Sequence, residues 1–223
     1  MSEKILVIAA HADDEALGCG GTIARHVAEG CSVHVVFMAD GVTSRPEAEP
    51  GARQARLVAA RQAQAILGVR QTRSLGLPDN RMDTLPLLEV VQQLEPIIEE
   101  VRPHLVYTHH HGDLNVDHRI THQAVLTACR PVPGHSVKEI RCFEVLSSTE
   151  WGAPAFTPFE PDIFVDISAY MDVKYAALTA YGEEMRDVPH SRSAAHAEVL
   201  ARHRGHCVGL QAAEAFTLIR KIC

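Results

Sequence analysis

Aromatic side chains are scarce. Phe, Tyr and Trp together make up 5% of the 223 residues, with a single tryptophan, which leaves little with which to stack bases as single-strand binders do. Cationic excess is missing too. Lys and Arg number 21 against 28 Asp and Glu, a net charge of −7, so neither nucleic acid nor an anionic membrane surface is an expected partner. The apolar run from Ile5 to Ala10 falls far short of the roughly 20 residues that cross a bilayer. No small-residue cleavage site follows it, so neither a signal peptide nor an anchor is expected. The six cysteines stand apart with no C-x-x-C pair, which excludes a zinc knuckle or a thioredoxin-type motif. A chain of this length needs no disulfide framework. These absences point to a reduced, cytoplasmic protein.

What is present is an ordinary globular mix, 46% hydrophobic and 22% charged. The length fits one domain over residues 1–223, burying roughly 70% of the unfolded surface. Ile5 to Ala10 shows no alternation, the pattern of a strand buried on both faces in a parallel sheet. Cys31 to Met38 reads as a second such strand. Between them Ala16 to Glu29 reads as a helix stopped by Gly30, which completes a βαβ unit. Further helices are expected over Ala48 to Leu67, Leu85 to Val101, Asp117 to Cys129, Ala169 to Tyr181 and Ala194 to His206. Pro96 predicts a kink or break in the second of these. Strands are expected at Thr72 to Leu75, His104 to Thr108, Glu139 to Leu146 and Ile163 to Ile167. The stretches Thr43 to Gly51 and Trp151 to Pro161 read as loops. Strands alternating with helices give an α/β, Rossmann-like three-layer fold with a mostly parallel sheet.

The first strand runs straight into His11-Ala12-Asp13-Asp14-Glu15. Open α/β sheets bind ligands beyond the carboxyl ends of their strands. One imidazole and three carboxylates there suit a divalent metal and a general base. The plainer alternative is a helix cap, but a cap needs one carboxylate, and crowded carboxylates repel unless a cation relieves them. A dinucleotide site is the rival, with Gly18, Gly20, Gly21 and Asp40 as its candidates. The spacing is not G-x-G-x-x-G, and carboxylates at the turn would repel a pyrophosphate; the glycines instead let the helix pack closely on the sheet. The strand at His104 to Thr108 leads into a second cluster, His109-His110-His111-Gly112-Asp113-Leu114-Asn115-Val116-Asp117-His118. This strand end should lie on the same sheet edge as His11. His118 and His122 stand one turn apart, but Arg119 takes the place where a zincin has Glu, so a zincin is excluded.

Ala10-His11-Ala12-Asp13-Asp14-Glu15 resembles the A-H-P-D-D-E signature of the LmbE-like (PIG-L) zinc-dependent N-deacetylases, with Ala12 in place of Pro. Asp117-His118 resembles the second motif of that family. The resemblance implies that His11, Asp14 and His118 hold Zn2+, and that Asp13 is the general base for a metal-activated water attacking an acetamide carbonyl. It implies a small N-acetylated amino sugar, or its conjugate, as substrate. It also admits a homo-oligomer, since relatives form dimers or larger rings. Iron, cobalt or nickel can also occupy a His/Asp/His site. Asn115 stands where the family has a His that donates a proton or steadies the oxyanion. An amide can donate a hydrogen bond but no proton, so Asp13 is expected to carry the proton onward, with His109, His110 and His190 as alternatives. Asp117, which in the family orients that His, is expected to orient His118 or a substrate group. Arg56, with Arg53 as its competitor, matches a substrate-contacting Arg. Asp79 is a candidate partner for sugar hydroxyls, and Arg192 for a substrate phosphate or carboxylate. The alternatives are hydrolysis of another amide and a non-hydrolytic nucleotide-binding module.

Overall fold

The structure, a computed structural model, describes residues 2–39, 41–42, 44, 51–152 and 155–223. Strand β1 (Lys4–Ala9) sends Ile5, Val7 and Ala9 into one hydrophobic core and Leu6 and Ile8 into another. It is therefore a strand with no solvent face, as its unbroken apolar run predicts. Helix α1 (Asp14–Ala28) returns the chain to β2 (Ser32–Ala39), and α2 (Ala52–Leu67) leads on to β3 (Gln71–Leu77). The chain then crosses to the other face with α3 (Leu87–Val101), β4 (Leu105–His109), α4 (Val116–Ala128) and β5 (Glu139–Phe143). The remainder is β6 (Ile163–Asp166), α5 (Met171–Ala180), α6 (Ala194–His206) and β7 (Ala213–Lys221). The sheet order is β3-β2-β1-β4-β5-β7-β6. The first five strands are mutually parallel, and β7 is antiparallel to both its neighbours. Helices α1, α2, α5 and α6 contribute to the core on one face, α3 and α4 to that on the other, giving three layers.

Most expected elements stand within a few residues of their predicted ends. Three differ. The helix α3 continues through Pro96. One ladder hydrogen bond is lost there, but Val90, Val91, Leu94, Ile97, Ile98 and Val101 are all buried against the sheet, and that burial outweighs the loss. The strand β5 stops at Phe143, because Val145 and Leu146 are buried in the loop that follows rather than in the ladder. The strand β7 is an addition to the expected set. The expected helix start at Ala48 and the candidate Asp40 lie outside the described residues. The glycines of α1 do admit close packing: a Cβ on Gly18 would meet Phe143 Cδ2 at 2.4 Å, and one on Gly21 would meet Ile167 at 2.8 Å. No helix among the described residues is long and apolar enough to cross a membrane.

Candidate metal centre

Strand order reverses between β1 and β4, so the connections leaving their carboxyl ends diverge and open a crevice. His11 to Glu15 follow β1, and His110 to His118 follow β4. The two clusters expected on one sheet edge do meet there. Ala10 N donates to His109 Nε2 at 2.8 Å, which ties the strand ends together.

Helix phase separates the three successive carboxylates. Asp13 sits just before α1 with φ 130° and ψ −27°, a region in which a non-glycine residue is strained by about 1–3 kcal/mol. Asp14 opens the helix and turns inward. Its Oδ2 accepts from His11 N at 2.8 Å and lies 3.4 Å from His11 Nδ1 and 3.3 Å from His118 Nε2. Glu15 does not join this cluster, contrary to the expectation of a third site carboxylate. Its Oε1 accepts from Gln64 Nε2 at 2.6 Å and from Tyr181 OH at 2.8 Å, and its Oε2 accepts from Asp13 N. Glu15 thereby pins the strained backbone of Asp13, and burial lifts its own pKa to about 7.

His11, Asp14 and His118 are buried, and one ligand atom from each lies within 4.8 Å of the others. Asp14 Oδ1 is buried without a hydrogen-bond partner. A carboxylate that sets one oxygen between two imidazoles and leaves the other without a partner is a donor set that fits a tetrahedral divalent cation with an open position. Each imidazole has a carboxylate behind it. His11 Nε2 lies 3.1 Å from Asp117 Oδ2 and 3.2 Å from Asp79 Oδ1; His118 Nδ1 lies 3.1 Å from Asp113 Oδ2. Burial works against a charge on His11, but its contacts with Asp117, Asp14 and Asp79 outweigh it and raise its pKa well above the ordinary value. The same contest, with Asp14 and Asp113 as the anions, raises His118 to about 9. Despite burial, the neighbouring imidazoles hold Asp14 well below the carboxylate range.

Asp13 faces the opposite way, toward two guanidiniums. Arg192 Nη1 donates to its Oδ2 at 2.9 Å, and Arg56 Nη2 lies 3.4 Å away. Burial pushes the Asp13 pKa up, with the two arginines opposing. Arg56 also pairs with the buried Glu184, and Arg192 Nε donates to Ser147 Oγ. Both arginines line the crevice and bind Asp13 there. Asp79 is held by Ser44, whose N and Oγ donate to its Oδ2, and its pKa falls to about 2 because His11 and Ser44 outweigh burial. Of the two partners expected for Asp117, His118 or a substrate group, the structure does not show His118: Asp117 contacts His11 and accepts from Asn80 N and Met82 N. Asn115 is the N-cap of α4: its Oδ1 accepts from Asp117 N and His118 N, while its Nδ2 donates to Asn80. Asp113 stands in the second cluster read from the sequence but without a role of its own; the spacing Asp-x-Asn-x-Asp-His is the signal available. His110 faces Thr157 O, and His190 packs edge-on against Trp151. Neither lines the crevice, which has a volume of about 140 Å³. His109 is stacked on His118 with centroids 3.9 Å apart. At the start of α1 the carboxylates of Asp14 and Glu15 take the N–H groups of His11 and Asp13, and such carboxylates repel a phosphate.

The profile of a known family, described as PIG-L: GlcNAc-PI de-N-acetylase, matches residues 6–129. The chain belongs to the PIG-L family. The matched stretch contains all of His11, Asp13, Asp14 and His118. A relative in Escherichia coli K12, the uncharacterized deacetylase YaiS, is 33% identical over 186 residues, covering 78% of this chain and 88% of that one. Among solved structures, N,N'-diacetylchitobiose deacetylase from Pyrococcus horikoshii superposes with a TM-score of 0.79 at 22% identity, covering 98% of this chain and 84% of its own. The 4-carboxy-2-hydroxymuconate hydratase GalB from Pseudomonas putida KT2440 superposes with a TM-score of 0.80, also at 22% identity, covering 99% and 98%. These two likenesses concern the fold. A hydratase and a deacetylase share it, so within PIG-L-like folds the reaction has to be argued from the site.

Proposed function

We propose that this PIG-L family chain is a zinc-dependent N-deacetylase that removes the acetyl group from an N-acetylated amino sugar or its conjugate. One observation carries the reading: a buried cluster of two imidazoles and a carboxylate stands beside Asp13, a second buried carboxylate that two guanidiniums hold apart from it. His11, Asp14 and His118 would hold the metal. When bound, zinc polarises a carbonyl and lowers the pKa of water. The protein's part is to place and move the proton. Asp13, aimed by Arg192 and Arg56, takes a proton from the attacking water as the new C–O bond forms. The same carboxyl then delivers that proton to the amide nitrogen as the C–N bond breaks, and acetate and a free amine leave.

Asp13 is given both tasks because the crevice offers no imidazole to share them and its other carboxylates are committed, Asp79 to His11 and Ser44 and Glu184 to Arg56. The only histidines of the crevice among the described residues are His11 and His118, and both serve as ligands in this reading. Asn115 Oδ1 is committed to the helix cap and its Nδ2 to Asn80. The crevice wall of Ser44, Asp79, Asn80, Asn115, Ser147 and Ser148 is polar, which suits a hydroxyl-rich sugar. The family name and the deacetylase relative support the acetamide as the scissile group.

The test is acetate release from N-acetylglucosamine compounds by zinc-loaded protein, compared with Asp13→Asn. The variant is expected to keep about one metal per chain and to lose on the order of 10²–10⁴ in rate. Loss of metal in Asp13→Asn would remove the separate roles of Asp13 and Asp14. Turnover of other amides, with no acetate from any N-acetyl sugar, would replace this substrate class.

A further inference from the structure

We propose that Asp113 is a positioning residue for the metal centre: it holds the Nδ1 proton of His118, leaving Nε2 as the lone-pair donor toward the cation, and it locks that imidazole to the loop whose Ser147 steadies Arg192, the arm onto Asp13. This inference rests on the reading of His118 as a ligand. Asp113 is fully buried. Its Oδ2 accepts from Thr149 Oγ1 at 2.6 Å and faces His118 Nδ1 at 3.1 Å; its Oδ1 accepts from Asn115 N at 2.8 Å and from Ser148 Oγ. Hydroxyl and amide donors occupy both oxygens, so the carboxylate is an acceptor throughout. The contact with His118 then requires the hydrogen on Nδ1. The opposite nitrogen, Nε2, faces Asp14 Oδ2 at 3.3 Å. A carboxylate behind a ligating imidazole fixes its tautomer and makes it a stronger donor.

The same residue reaches the other half of the site. Ser148 and Thr149 bind Asp113, and their neighbour Ser147 accepts from Arg192 Nε. Arg192 in turn donates to Asp13. One buried carboxylate therefore links the metal-facing imidazole, through a short loop, to the guanidinium that aims the general base. A mere strut for that loop would not need to face the imidazole.

The experiment measures zinc affinity by chelator competition for wild type, Asp113→Asn and Thr149→Val, with thermal unfolding of the metal-free proteins alongside. Thr149→Val removes one of the two hydroxyl anchors of the loop but leaves the Asp113–His118 contact. Asp113→Asn is expected to weaken zinc by about 10- to 100-fold, and Thr149→Val to lower the melting temperature while holding affinity within about threefold of wild type. Equal affinities for Asp113→Asn and wild type, or an equal loss in Thr149→Val, would overturn the inference. A second readout needs no variant: ¹⁵N–¹H correlation on the zinc-loaded wild type should show the His118 proton on Nδ1, and a proton on Nε2 would overturn it. Wild type that takes up no zinc would overturn the proposed function together with this inference. Wild type that binds zinc, with Asp113→Asn unaffected, would overturn this inference alone.

Discussion

At position 13 the chain places a side chain where the backbone favours glycine. The φ of 130° is retained because Glu15 binds Asp13 N and the arginines bind its carboxylate. Strain of this kind concentrates where a group must be aimed. A differential prediction follows. With zinc removed, Asp13→Gly should be more stable than Asp13→Ala by about 1–2 kcal/mol, the strain relieved less the extra chain entropy of glycine. Both should lack activity. Denaturant titration of the two variants checks it, and equal midpoints would mean that position 13 is unstrained. The residue types at this site were legible in the sequence because strand end, imidazole and paired carboxylates coincide. Their division of labour was less so. Residues 13, 14 and 15 point in three directions, which sent Glu15 to Gln64 and Tyr181 rather than to the cluster. Asp113 is legible as a member of the second cluster, but its role is not, because that depends on Ser148 and Thr149, 35 and 36 residues further along the chain.

At the scale of elements, α1 is broken inside its first half. Cys19 has φ −148° and ψ 24°, which frees backbone groups that must find other partners. The buried Lys174 of α5 donates to Leu17 O at 2.8 Å, and Glu214 of β7 accepts from Gly21 N and Thr22 N. The two side chains also pair with each other. A kink in the helix that presents Asp14 is thus filled by an ion pair from two distant elements. Glu214→Gln alone leaves a buried ammonium without its anion and should cost about 3–5 kcal/mol. The double variant Lys174→Met/Glu214→Gln should cost less than the sum of the singles by at least about 1 kcal/mol. Additive costs in a denaturation cycle would show that the pair is not coupled. This also explains why β7 was hidden. An acidic residue facing inward at Glu214 breaks the strand pattern, and its reason is a helix defect nearly 200 residues earlier. The parallel strands are legible because burial on both faces makes them continuous apolar runs, whereas the antiparallel β7 carries a buried charge. Pro96 misled for the converse reason, since local propensity yielded to the apolar face of α3.

For the whole molecule, the histidines set two opposed pH limits. His122 is buried, donates from Nδ1 to His109 O, and has a pKa depressed to about 4, chiefly by burial. Its unfolded form takes up a proton near pH 6.5, before the folded form does. The stability it contributes is therefore present above that pH and is lost as pH falls toward 4. His118 behaves oppositely in metal-free protein. Burial disfavours its charge, but Asp14 and Asp113 raise it from 6.5 to about 9. Its contribution is complete below pH 6.5 and disappears as pH rises through about 9. That interval corresponds to about 3 kcal/mol, and His11, also raised, adds in the same direction. Glu15, raised by burial to about 7, gives up its contribution earlier, between about pH 4.5 and 7, so metal-free protein should weaken from mildly acidic pH onward toward pH 9. A cation at His11, Asp14 and His118 replaces those protons and binds better as they leave, so zinc-loaded protein should keep its stability across the same alkaline window. Denaturant unfolding between pH 5 and 9.5, with chelator or with stoichiometric zinc, checks both limbs. His122→Gln should flatten the acid limb alone. If the alkaline decline were the same with and without zinc, the two imidazoles would not be exchanging protons for metal, and the site at the β1–β4 switch point would need another explanation for its orphaned Asp14 oxygen.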